Sequence, residues 1–141
     1  MIEIPNVNIS EWVAELKPYQ SNSISLLLDT HTEEETIKLW LSANGPTANI
    51  PFGGANTPSS ELFFDRFKQE FRKFVCGDPA YESFREQLLA ETPMAKSIYI
   101  STISAALGAT FGYAATLLAP AVAIMLHLVG TMGINAWCNA S

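Results

Sequence analysis

The sequence predicts a mainly α protein, with a small α+β portion at its N-terminus. Three observations carry that expectation. Helix-start signals recur along the chain, one segment bears phenylalanines at helical spacing, and the last third is apolar and uncharged for long enough to form two more helices. The expected architecture is an amphipathic helical hairpin followed by an apolar C-terminal helical hairpin.

The first signal is Asn8-Ile9-Ser10-Glu11, where Asn8 and Glu11 have capping-box spacing and Trp12, Val13 and Leu16 follow. Pro18 is expected to stop that helix. Residues 23–29, SISLLLD, form a short apolar run that suits a buried strand. Thr32-Glu33-Glu34-Glu35 is a second capping box, with acids at the positive end of a helix. The segment TIKLWLSA behind it fits helical and strand periods alike. The cap favours helix, ending at Asn44-Gly45-Pro46.

Residues 45–57, GPTANIPFGGANT, read as a linker. Their glycines lack the GxGxxG spacing and the GK[ST] ending of phosphate-binding loops. Thr57-Pro58, Asp78-Pro79 and Thr92-Pro93 each set a capping oxygen before a proline at a first helical position. The helix after Thr57-Pro58 carries Phe63, Phe67, Phe71 and Phe74 on one stripe. Such a stripe is either core or a partner-facing surface. Gly77 is a natural C-cap before a helix with Tyr81, Phe84, Leu88 and Leu89 on one face. The two helices make an αα-hairpin.

Charge divides the chain. It has 141 residues and a net charge of −6, yet no Asp, Glu, Lys or Arg occurs from Ser97 to Ser141. The expected organisation is a soluble acidic domain over residues 1–92 and an apolar helical hairpin over residues 93–141. The two apolar runs, residues 93–118 and 121–137, are expected to turn at residues 118–121, around Pro120. Their lengths approach the roughly 20 helical residues that a bilayer core requires. Ser104, Gly108, Gly112 and Thr116 place a small residue at every fourth position. With GxxxG at its centre, this pattern points to close helix–helix packing and oligomerisation. His127 is the one readily ionisable side chain of the second run, a candidate pore-lining or pH-sensitive group.

These features bound the function. An acidic chain without a large basic face excludes a nucleic-acid partner. No GxSxG, HExxH, paired CxxC or P-loop occurs, so neither an enzyme nor a metal or cofactor site is expected. Cys76 and Cys138 lie far apart in sequence and leave a disulfide open, with free thiols of a reducing compartment the favoured reading, and MIEIPNVNIS lacks the pattern of a secretory signal. Basic residues flank only the first apolar run. They place the N-terminal domain in the cytoplasm and the hairpin in the inner membrane.

The layout resembles that of small two-part membrane effectors, in which a docking or regulatory domain precedes an oligomerising hairpin. The resemblance implies a membrane-permeabilising protein with lipid, copies of itself and a regulatory protein as partners. The alternative is a soluble helical adaptor or subunit whose apolar hairpin is buried in an oligomer or larger complex.

Overall fold

The computed structural model describes residues 2–44, 60–90 and 95–139. The fold is mainly α. Eight helices are described: α1 (Ile9–Val13), α2 (Pro18–Thr30), α3 (Glu33–Asn44), α4 (Ser60–Cys76), α5 (Glu82–Ala90), α6 (Lys96–Phe111), α7 (Ala115–Met132) and α8 (Ile134–Cys138). A 3-10 turn, Pro79–Tyr81, links α4 to α5. The expected linker at residues 45–57, the starts at Thr57-Pro58 and Thr92-Pro93 and the boundary between residues 92 and 93 lie outside the described residues.

No strand occurs among the described residues, which corrects the expectation for SISLLLD. Pro18 does not only follow α1; it opens α2, where a missing N–H costs nothing. Gln20 and Ile24 are buried and Leu28 packs beside the core, a helical spacing of four. Leu26, which completed the strand-like run, is 70% exposed.

Two of the predicted helix starts form as hydrogen bonds. The Thr32 N–H donates to Glu35 Oε1 at 3.0 Å and the Glu35 N–H to Thr32 Oγ1 at 3.2 Å. The Ala80 N–H donates to Asp78 Oδ1 at 2.8 Å. Asn8 is the N-cap of α1, but its side chain makes no capping bond; Glu11 instead pairs with Lys96 at 3.8 Å.

The core is one continuous apolar cluster drawn from both sides of the composition boundary. α7 lies at its centre, packed against α6, α3, α1 and α2, with α8 at its end. α4 packs on α3, α6 and α8, and α5 on α6. Phe63, Phe67, Phe71 and Phe74 are all buried, so the aromatic stripe is core in this bundle. Phe63 meets Phe111 edge-on at 5.1 Å and Phe71 meets Trp137 at 5.8 Å, joining α4 to the apolar tail.

The C-terminal hairpin exists, but its turn is not at residues 118–121. It lies between Phe111 and Ala115, and Pro120 is inside α7. Gly112 takes the left-handed conformation (φ 72°) that ends α6, a conformation that L side chains avoid. The Gly112 and Tyr113 N–H groups both return to the Gly108 carbonyl, the latter at 2.8 Å.

Candidate functional site

Pro120 poses the first local problem. It has no N–H, so the Thr116 carbonyl one turn earlier has no helical donor. Gln20 of α2 supplies one: its Nε2 donates to the Thr116 carbonyl at 2.7 Å. Trp40 of α3 donates from Nε1 to the next carbonyl, Leu117, at 2.8 Å. Gln20 is only 1% exposed, and this bond explains why a polar side chain is buried there. The hairpin is thus tied to the N-terminal helices through its backbone.

The small-residue stripe divides into three roles. Ser104 is buried on α6, and its hydroxyl is without a partner among the described residues. Gly108 is required by close approach, because a Cβ there would stand 2.6 Å from the Tyr113 carbonyl oxygen. Gly112 is the helix terminator, with nothing within 4 Å of a Cβ. Thr116 is exposed on α7, past the turn. The four residues therefore do not form one face of one helix, which corrects the GxxxG expectation. Gly130 shows the close approach the pattern implied, but to the N-terminal segment: a Cβ would lie 2.6 Å from the Pro5 carbonyl oxygen.

The C-terminal end of α7 gathers the chemistry. His127 Nδ1 pairs with Glu33 Oε1 of the α3 first turn, and both side chains are largely shielded from water. Beside this pair, α3, α4, α7 and α8 enclose an open groove of about 600 Å³. Met125, Leu128 and Met132 of α7 form its apolar floor, and Trp137 of α8 also lines it. Lys68 and Arg72 of α4 contribute two cations, and Glu34 and Asp65 contribute two carboxylates. The Arg72 guanidinium lies 4.5 Å from the centre of the Trp137 ring and donates to the Trp137 carbonyl at 3.1 Å. The Lys68 ammonium lies 4.7 Å above the Phe64 ring.

A disulfide joins Cys76, the last residue of α4, to Cys138, the last residue of α8, with their Cα atoms 5.8 Å apart. This is the alternative the sequence left open, and it replaces the favoured free-thiol reading. Folding α8 back onto α4 brings together cysteines 62 positions apart, and sequence spacing does not reveal that.

Other buried polar groups act on the scaffold. Arg85 of α5 donates to the Phe74 carbonyl at 2.9 Å and the Asp78 carbonyl at 2.5 Å, placing a cation at the negative end of α4. Tyr81 donates to Glu70 at 2.5 Å and shares a 2.7 Å hydrogen bond with Thr110. Burial first, and then the Glu70 carboxylate, push its phenol up to about 12.

Sequence reasoning placed His127 among the functional candidates but missed Glu33 as its partner and missed the groove that Lys68, Arg72 and Trp137 line. A proline inside an apolar run was the one available signal for Gln20, because the Thr116 carbonyl it frees requires a donor.

No protein-family model, no curated protein and no solved structure matches the chain.

Proposed function

We propose that this is a membrane-acting helical protein, stored as a closed bundle around the α6–α7 hairpin that it delivers to lipid. The observation that carries this reading is α7 itself. It is an 18-residue helix without a formally charged side chain, of mean hydropathy 1.8. Its length of about 27 Å approaches the roughly 30 Å of a hydrocarbon core. Here it is sheathed by α1, α2, α3 and α6. A helix apolar on all sides suits only a protein interior or a bilayer, and such a sheath lets one segment serve in both.

The disulfide supports an oxidising compartment, against the cytoplasmic side that the basic residues favoured. The residues 104–116 pattern no longer supports self-association of the closed form, since Gly112 and Thr116 serve the turn and not a helix face.

A second reading keeps the hairpin permanently as the core of a soluble subunit. The Gln20 and Trp40 bonds to α7 favour it, because release would leave both donors and the Thr116 carbonyl to find new partners.

Fractionation of the expressed protein, with carbonate washing of the membranes, separates the two. Retention in the washed pellet, with leakage of dye from vesicles on addition of protein, supports delivery to lipid. A discrete species that stays in the supernatant and leaves vesicles sealed, with and without thiol reductant, would sink it.

A further inference from the structure

We propose that the groove between α3, α4, α7 and α8 binds the headgroup of a zwitterionic phospholipid carrying a primary ammonium, as phosphatidylethanolamine does. The inference rests on the membrane-acting reading and gives it a recognition step in the closed bundle.

The two cations define the first half of the ligand. Arg72 lies over the Trp137 ring and is fixed by its bond to the Trp137 carbonyl, yet it forms no ion pair among the described residues. A guanidinium has five N–H donors, so most of its capacity is unspent. Lys68 stands one turn earlier on the same helix, over Phe64, and also lacks an ion-pair partner among the described residues. The i, i+4 spacing puts both on one wall, where a fork of N–H donors and a point charge suit a phosphate.

The two carboxylates define the second half. Glu34 and Asp65 line the same groove and have no ion pair among the described residues. A purely anionic ligand meets their repulsion, and a purely cationic one meets Arg72 and Lys68. A phosphate joined to an ammonium by a short linker satisfies both pairs. A primary ammonium is preferred to a quaternary one because carboxylates accept its N–H hydrogen bonds.

Size and position define the rest. A volume of about 600 Å³ lies within the range of about 300–1,000 Å³ typical of small-ligand sites. It holds a headgroup and glycerol, while the acyl chains stay in the bilayer. Met125 and Met132 provide a deformable floor for the first methylenes. Trp137, on α8 just beyond the candidate membrane helix, stands where interfacial tryptophans sit.

The test uses the full chain with its disulfide intact and measures flotation with three kinds of vesicle. These are phosphatidylcholine alone, or mixed with phosphatidylethanolamine or with phosphatidylglycerol. Phosphatidylethanolamine vesicles are expected to bind about tenfold tighter than the other two, the scale of a charge-assisted hydrogen-bond pair. A Glu34→Gln, Asp65→Asn variant, changed only at exposed carboxylates, is expected to lose that preference. Lys68→Gln with Arg72→Gln is expected to lose it too. Equal binding to all three vesicles, strongest binding to phosphatidylglycerol, or an unaltered preference in the Glu34/Asp65 variant overturns the site. Binding of soluble phosphoethanolamine with no vesicle preference shows a free phosphoester as ligand and overturns the lipid source. Vesicle leakage that persists without any headgroup preference removes this site and leaves the membrane-acting reading intact. Absence of both flotation and leakage removes both.

Discussion

α4 and α7 are neighbours in length and differ in how they find their orientation. α4 carries Asp65, Arg66, Lys68, Gln69 and Arg72 outside its core face and a file of phenylalanines within. Its side chains alone decide which face turns inward. α7 is buried all round through most of its middle, from Leu118 to Leu126, so burial cannot choose a rotation for it. Its position is fixed instead by polar demands of the backbone and by close approach. Gln20 and Trp40 meet the carbonyls near Pro120, Gly130 admits the Pro5 carbonyl, and His127 meets Glu33. An amphipathic helix is oriented by what it excludes from water; an apolar one is oriented by its few remaining polar obligations.

The sharpest way to break the contrast is Phe67→Asp. It buries a charge without a partner at a fully buried site of α4, and a loss of about 4 kcal/mol or more is expected. Urea titration followed by circular dichroism measures it. A variant that folds normally would show that the stripe is not core. Next comes Cys138→Ser, which opens a 62-residue separation. In the chain-entropy model it costs about 4 kcal/mol, seen as a lower melting temperature that matches the reduced wild type.

The glycines of the former stripe should separate. Gly108→Ala forces a Cβ against a backbone oxygen and is expected to cost about 2–3 kcal/mol. Gly112→Ala meets no neighbour and costs only its left-handed backbone, about 1–2 kcal/mol. Equal losses at the two sites would restore a shared packing role.

Gln20→Ala leaves the Thr116 carbonyl without its donor and should cost about 1–2 kcal/mol. In a Pro120→Ala background the helix regains an N–H for that carbonyl, and the cost should shrink. A double-mutant cycle with no coupling would remove Gln20 from this role.

The smallest effect concerns pH. Hydrogen bonds from the Thr32 backbone N–H and then its hydroxyl hold Glu35 below its ordinary value of 4.5. Its folded value is therefore depressed. The contribution is complete above the unfolded value and is lost as pH falls through the folded one. Glu35→Gln should flatten that part of the stability profile below about pH 4.5; an unchanged acid limb would show that other carboxylates dominate it.

Much of the local structure was legible. Thr32 and Glu35 announced α3 and resolved the ambiguous TIKLWLSA, and Phe63 to Phe74 announced the core face of α4. The phenylalanines were legible because a helix imposes its period on any face it buries. What was not legible depended on contacts distant in sequence. Pro120 reads as a breaker until Gln20, 96 positions away, supplies the lost donor. SISLLLD reads as a strand because Leu26 looks like an interior residue, while only the third dimension shows it in solvent. The groove escaped notice because its cations and carboxylates belong to α3 and α4, and its floor to α7. Gly108 and Gly112 were singled out together by spacing, yet one serves a close backbone approach and the other a reversal of the chain.

The Cys76–Cys138 bond has a topological consequence. It makes residues 76–138 a closed ring that contains both α6 and α7. A closed ring crosses any plane an even number of times. Hydropathy alone singles out α7 as the one helix among the described residues long and apolar enough to span a bilayer. While the bond is intact, however, α7 cannot cross alone. A second segment of the ring must return, and α6, its antiparallel neighbour, is the nearest. An inserted oxidised protein is therefore two-spanning or not spanning at all, with both ends of the ring on the side from which it entered.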